Sequence, residues 1–217
     1  MANFGERIKA LTGLEEISNI GFLANQWLND AIKDIINVLP PQVLYIASDS
    51  VNLSQWQGTT TPESRVLEVV RWGGNPRIEN ECKEIDSALR GKYTPTSGYM
   101  EEATDDSPVF WRRKNAIRVL PDPTGEDYAT ITYVNYPSIV YTQSSISKFP
   151  NEVEQLVALK AAVTAKFYQI GLANQEEDLE VATSHTNHMS ALNQEYTMCL
   201  QNFMSGFQMN AKEQGAV

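Results

Sequence analysis

The sequence predicts an α+β protein in which a bundle of long helices carries an inserted, antiparallel β subdomain. Apolar residues recur every three or four positions near both ends of the chain, which is the helical period. Between these regions, short β-rich runs alternate with Gly, Pro, Asn and Asp. We therefore predict a helical domain formed by residues 1–42 and 143–217, and a β subdomain formed by residues 43–142.

Two capping motifs open the N-terminal region, at residues 3–6 and 12–15. In each, a polar side chain and a glutamate have the spacing with which both accept hydrogen bonds from free backbone amides at a helix start. After the second motif an apolar stripe continues from Leu14 to Ile35. It predicts one long helix that ends near Leu39, before a pair of prolines.

Six runs in the middle of the chain predict strands. The two clearest, at 117–120 and 128–135, are separated by a Pro-Asp-Pro-Thr-Gly turn sequence, which predicts a hairpin. The other predicted strands are 43–47, 51–55, 65–72 and 109–112. The candidates for the core of this region are the aromatic residues Trp56, Trp72, Trp111 and Tyr133.

The last part of the chain predicts a helical hairpin. Pro150 suits the first turn of a helix, and Gly171 is placed to end it. Asn174 and Glu177 have the spacing to cap a second helix, whose apolar stripe extends to Phe203. The three long helices need one another to cover their apolar stripes.

Charge and composition exclude several function classes. The net charge of −10 disfavours a conventional nucleic-acid binder, because such proteins neutralise phosphates with clustered Lys and Arg. The search for apolar runs of membrane-spanning length finds none, and the N-terminus lacks the apolar centre of a secretory signal. Cys82 and Cys199 match no metal-binding spacing. We expect Cys199 to be a buried free thiol on a helix face.

The sequence offers little for catalysis. His185 and His188, the only histidines, lie three apart on a helix, but further metal donors are missing around them. Adjacent acidic residues such as Asp105 and Asp106 lie in polar surroundings, where a raised carboxyl pKa is not expected. We predict no enzyme activity and no catalytic, cofactor-binding or metal-binding residues.

Two segments are candidate partner interfaces. A basic run of three residues is either a finger that touches an acidic partner or phosphate, or an exposed turn between strands, and the turn is favoured. Phe and Met near the C-terminus either anchor a partner or complete the helical core. The candidate interface residues are Phe203, Met204, Phe207, Met209, Arg112, Arg113 and Lys114.

The order of four segments along the chain is distinctive. They are residues 107–111 (SPVFW), 116–123 (AIRVLPDP), 129–137 (ATITYVNYP) and 149–157 (FPNEVEQLV). Together with the flanking long helices, this order resembles the head-to-tail adaptor (neck or connector) proteins of tailed bacteriophages. The resemblance extends over nearly the whole chain.

The resemblance implies a structural protein of the virion neck, made in the host cytoplasm. Such proteins form a ring, usually a dodecamer, beneath the portal protein. The ring extends the DNA channel and docks the tail or nozzle protein. DNA passes through the lumen without sequence-specific binding, and no membrane or cofactor is implied. A net-acidic channel wall is consistent with this passage, because it weakens any grip on phosphate.

Other functions stay open at this point. The nearest alternative is another virion component, such as a tail-completion or tail-tube protein, although a tail-tube protein is expected to be mainly β. A hydrolase would have to use the acidic pairs or the two histidines. A carbohydrate- or protein-binding module would require residues 43–141 to fold and bind alone.

Overall fold

The computed structural model describes residues 2–14, 20–53, 64–73, 78–94, 98–113 and 116–214, with side chains described to residue 206. Two short segments, the 3-10 turn Tyr45–Ala47 and an isolated bridge between Thr104 and Ser107, lie outside the named elements. The helices are α1 (Phe4–Thr12), α2 (Gly21–Val38), α3 (Pro41–Leu44), α4 (Arg90–Tyr93), α5 (Asn151–Gln175) and α6 (Leu179–Gln214). The strands are β1 (Asp49–Leu53), β2 (Ser64–Gly73), β3 (Ile78–Glu81), β4 (Lys83–Glu84), β5 (Val109–Arg113), β6 (Ala116–Leu120) and β7 (Tyr128–Asn135).

The chain forms two compact units. One, the helical unit, consists of Met1–Ile46 and Tyr136–Val217, and the other, the β unit, consists of Ala47–Asn135. The α+β class and the pair of helices at the C-terminus are as the sequence predicts.

Helix α5 is the centre of the helical unit, and α1, α2 and α6 all pack against it. Its buried residues include Val153, Leu156, Val157 and five alanines, so that neighbouring helices approach it closely. Within the part of the chain that the structure describes, α5 is also the one helix with the length and mean hydropathy of a membrane span. Half of its most apolar window is buried inside the structure, as in the core helix of a globular protein.

The N-terminal region forms two helices, and the longer one, α2 (Gly21–Val38), ends before the proline pair as the sequence predicts. The capping box of Asn3 and Glu6 is confirmed, with both hydrogen bonds formed at 2.8 and 2.9 Å. The second motif is wrong, because α1 ends at Thr12, whose hydroxyl donates to the Ile8 carbonyl instead of capping a new helix. Gly13 closes α1 with a φ of 71°, a conformation that glycine adopts without steric cost. Residues 15–19 lie outside the described residues.

The two C-terminal helices meet at a different point from the one predicted. Gly171 lies inside α5, which continues to Gln175. The residue that caps α6 is Asp178, whose carboxylate accepts the Val181 amide at 3.1 Å, and not Asn174. Helix α6 has 36 residues against 25 in α5, and at 1.5 Å per residue it is about 54 Å long.

The β unit contains two sheets. The first has the strand order β1-β7-β2-β3 and is antiparallel throughout. The second has the order β4-β5-β6, and its β4–β5 pair is parallel, so the pairing is not purely antiparallel as predicted. Buried side chains from both sheets form a common core. Its members are Leu53, Val69, Cys82, Phe110, Ile117, Val119, Ala129 and Ile131.

Two predicted features of the β region are wrong. Residues 117–120 and 128–135 are both strands, but they do not form a hairpin: β6 pairs with β5, and β7 pairs with β1 and β2. Residues 43–47 form the end of α3 and a 3-10 turn, because the preceding proline pair starts a new helix. Of the aromatic candidates, Trp111 is fully buried and Trp72 and Tyr133 are partly buried, whereas Trp56 lies outside the described residues.

Candidate functional site

The basic run at the end of β5 is divided between two faces of a sheet. Successive residues of a strand point in opposite directions, so Arg112 and Arg113 are separated. The Arg112 Nε atom donates to Glu84 Oε1 at 3.1 Å, and both side chains are about half exposed. Arg113 instead lines a cavity on the other face. Lys114 lies outside the described residues.

That cavity, which we call the arginine pocket, encloses about 550 Å³. It contains three arginines that are distant from one another in sequence. Its lining consists of Arg90, Gly91, Thr94, Trp111, Arg113, Arg118, Leu120 and Asp122. Sequence reasoning singled out Arg113 but missed Arg90 and Arg118, because only the strand pairing brings them together.

The register of β5 and β6 explains the arrangement. Trp111 lies directly opposite Arg118, and cross-strand partners project to the same face of a sheet. Arg113 is two residues beyond Trp111 on the same strand and therefore shares this face. The short helix α4 supplies Arg90, whose Nη1 donates to the Ser87 carbonyl at 3.0 Å.

Trp111 is the buried aromatic group of the pocket wall, with 5% of its surface exposed. Its indole Nε1–H is buried and has no hydrogen-bond acceptor among the described residues. An unsatisfied buried donor costs about 1–3 kcal/mol. The pocket wall therefore contains a donor that has no acceptor at hand, beside three cationic side chains.

The C-terminal end of α6 carries the second predicted interface. Phe203 and Met204 are half-buried, and Phe203 interacts within the chain. The backbone of Phe207 and Met209 continues the helix, but their side chains lie outside the described part. Phe203 and Met204 thus pack partly within the helical unit and are partly accessible to solvent.

Larger exposed apolar side chains occur elsewhere on the helical unit. Phe22 is 82% exposed, Phe167 68% and Leu179 74%. The helical spacing of apolar residues after Pro150 predicts that Phe167 lies in a buried stripe with Val163 and Ile170, and its exposure shows that this prediction is wrong. Phe167 and Leu172 line a groove of about 360 Å³ together with Trp27 and Tyr168, whose rings are 5.7 Å apart. We call this feature the aromatic groove.

A second cavity of the helical unit, of about 530 Å³, lies among α1, α5 and α6. Its apolar lining includes Leu11 and Leu159, and Glu195 lies on the α6 side. Glu154 is 2% exposed, accepts the Ile146 amide at 2.8 Å and lies 3.6 Å from Arg7. These bonds hold the loop before α5 in place. The buried Glu154 at this cavity therefore has a structural role.

The two histidines do not form a metal site with other side chains. His185 Nδ1 lies 3.4 Å from Lys166 Nζ, a cationic neighbour rather than a further metal ligand, and His188 is exposed. Burial, followed by the charges of Lys166 and His188, lowers the pKa of His185. Burial also lowers the pKa of Lys166. Among the described residues, there is no group of three or more His, Cys, Asp or Glu side chains that could hold a metal ion.

The acidic residue Asp105 and the thiol of Cys82 have structural roles rather than catalytic surroundings. Asp105 pairs with Arg71, which is 3% exposed, at 2.6 Å. Cys82, and not Cys199, is the buried cysteine, and Cys199 is half-buried. Burial raises the pKa of the Cys82 thiol to about 12, so the thiolate needed for nucleophilic chemistry is not populated near neutral pH.

The chain was compared with known proteins. It matches no model of a known protein family, and the comparison with curated proteins gives no significant match.

Proposed function

We propose that this protein is a head-to-tail adaptor of a tailed bacteriophage. It is a virion structural protein that forms a ring under the portal, extends the DNA channel and docks the tail. The proposal includes the finer architecture, a long-helix bundle with an inserted β subdomain that acts as the repeating wedge of the ring. The ordered segments of the sequence and the α+β architecture with its C-terminal helix pair support it.

The observation that carries the proposal is the aromatic groove. Single exposed apolar residues are normal on a protein surface, whereas contiguous ones mark interaction sites. Here Phe167 and Leu172 are 68% and 41% exposed and line the same groove as Trp27. Covering them with a neighbouring subunit would remove this apolar surface from water, as expected of a protein that functions in an assembly.

The length of α6 provides a further supporting observation. At 36 residues it exceeds its antiparallel partner α5, which has 25. The final part of α6 has no counterpart of equal length to pack along in α5. Its apolar residues, from Phe203 to Met209 in the sequence, are the proposed contact with the portal or a neighbouring subunit.

The test is the assembly of the purified full chain with the portal protein of the same phage. Phe167→Ser should leave the free energy of unfolding within about 0.5 kcal/mol of wild type, because the side chain is exposed. It should weaken ring formation at least about tenfold, because interface aromatics contribute disproportionately to binding. The mass of the complex, measured by light scattering over a concentration series, gives both the stoichiometry and the affinity.

The matched control is Met100→Ser, which removes a fully exposed apolar side chain from the β unit. It should assemble as the wild type does. A second variant, truncated after Gly206, should fail to enter particles, because it lacks Phe207 and Met209. Normal ring formation by Phe167→Ser together with normal incorporation of the truncated chain would contradict the proposed interfaces.

A further inference from the structure

We propose that the arginine pocket is a binding site for a phosphate group. The ligand class is a compact phosphate or polyphosphate, either free, as in a nucleotide, or as part of a nucleic-acid backbone. The inference rests on the pocket alone and is independent of the proposed adaptor function.

The first argument is charge. Three guanidinium groups, those of Arg90, Arg113 and Arg118, line one cavity in a protein whose net charge is −10. Among the described residues of the lining, Asp122 is the acidic one, so these residues together carry a net positive charge. Holding like charges together is unfavourable unless an anion offsets them. A planar guanidinium presents paired donors that match the oxygen atoms of phosphate.

The second argument is that the pocket is built by rigid elements. Arg113 and Arg118 project from paired strands, and the register fixes them on one face. Arg90 belongs to α4, where its bond to the Ser87 carbonyl restrains the side chain without neutralising its charge. The Thr94 hydroxyl, beside α4, donates to the Arg90 carbonyl at 3.0 Å and so ties this part of the lining to the helix.

The third argument is the Trp111 indole. Its Nε1–H is buried and lacks an acceptor among the described residues, although the ring forms part of the pocket wall. An indole N–H is a donor only and therefore favours an acceptor-rich ligand, although this atom is covered by surrounding side chains and the ring must shift to reach one. Trp111 and Leu120 also provide an apolar wall, against which electrostatic attraction is stronger than in bulk water.

The size of the pocket agrees with a small ligand. Its volume of about 550 Å³ lies within the range of roughly 300–1,000 Å³ that small-molecule sites occupy. The opposite face of the sheet carries Arg112, which is paired with Glu84 at 3.1 Å and therefore offers no such site. This contrast between adjacent arginines supplies a matched control.

The experiment is a calorimetric titration of the full chain with pyrophosphate at constant ionic strength. We expect saturable binding that Arg113→Gln and Arg118→Gln each weaken about tenfold, because each removes a charge-assisted hydrogen bond. Arg112→Gln should change the affinity less than about twofold. In parallel, the Trp111 indole N–H signal, assigned in NMR spectra with Trp111→Phe, should shift on binding.

Two further ligands distinguish the source of the phosphate. A short single-stranded oligonucleotide that competes with pyrophosphate would assign the pocket to backbone phosphate, and binding of pyrophosphate alone would assign it to a small ligand. Acetate and an acidic peptide test the carboxylate class. The proposal is overturned if pyrophosphate does not saturate, if Arg112→Gln is as damaging as Arg113→Gln, or if carboxylates bind equally well. Arg90→Gln provides the same test if Arg118→Gln does not fold.

Discussion

Arg71 connects three segments of the β unit through its buried guanidinium group. Its Nε donates to the Pro121 carbonyl at 3.0 Å, and its two terminal nitrogens pair with Asp105 and Asp127 at 2.6 and 3.2 Å. Gly73 leaves the space that the guanidinium occupies, since a Cβ there would overlap Arg71 Nη1 and lie 2.9 Å from Asp127 Oδ2. The sequence alone gives no sign that this glycine is needed for packing.

We predict that Gly73→Ala lowers the free energy of unfolding by about 1–3 kcal/mol, because the added methyl group displaces a buried ion-pair network. Urea denaturation of the full chain measures the change. Gly91→Ala is the control, because nothing lies within 4 Å of its added Cβ, and it should not lower the free energy of unfolding. Equal stability of Gly73→Ala and wild type would show that Arg71 has another arrangement available.

His185 makes stability depend on pH. Burial, followed by the charges of Lys166 and His188, places its pKa in the folded protein below the ordinary histidine value of 6.5. The unfolded chain therefore takes up this proton at a higher pH than the folded chain does. The associated stability is complete above pH 6.5 and is lost as the pH falls toward the folded pKa.

We predict that His185→Gln reduces the loss of stability between about pH 7 and pH 5.5. The free energy of unfolding, measured by denaturation across this range, gives the difference curve against wild type. His188→Gln, which alters the exposed neighbour, should retain most of the wild-type pH dependence. Identical pH profiles for His185→Gln and wild type would contradict the proposed proton linkage.

At the scale of elements, the sequence predicts features formed by neighbouring residues better than it predicts which strands pair. The capping box at Asn3 and the strand Tyr128–Asn135 are confirmed, because each depends on residues close in sequence. The hairpin between β6 and β7 is wrong, because a Pro- and Gly-rich connection is compatible with a turn inside one sheet and with a crossing between two. The arginine pocket was missed for the same reason, since Arg118 meets Trp111 only through strand pairing.

Gly171 shows where a strong local rule fails. Glycine commonly ends a helix, yet α5 continues to Gln175, because contacts with its neighbours outweigh the propensity of one residue. No atom lies within 4 Å of a Cβ placed there. Glycine at this position therefore costs conformational entropy on folding, and no neighbouring atom requires the absence of a side chain.

We predict that Gly171→Ala stabilises the protein by about 0.5–1 kcal/mol, because alanine loses less conformational freedom in a helix. Thermal unfolding should show a rise of about 2–4 °C. The same substitution at Gly5, in α1, should destabilise, because its Cβ would lie 2.9 Å from the Tyr141 ring. A lower stability for Gly171→Ala would indicate that α5 bends or opens at this position.

At the scale of the whole molecule, two surface features are relevant to the proposed adaptor function. The described surface combines an apolar aromatic groove on the helical unit with a cationic pocket on the β unit. The overall charge of −10 makes close packing of many copies unfavourable unless apolar contacts compensate. The sequence thus gives the net charge of the chain, whereas the groove and the pocket are visible only in the tertiary structure.

The most direct measurement is an asymmetric cryo-electron microscopy reconstruction of mature particles of the tailed phage that the proposed function requires as the source of this chain. If the proposal is right, we expect a ring of copies of this polypeptide at the unique vertex, between the portal and the tail. We also expect neighbouring copies to cover Phe167. Particles in which this vertex contains no copy of the polypeptide would contradict the proposed function.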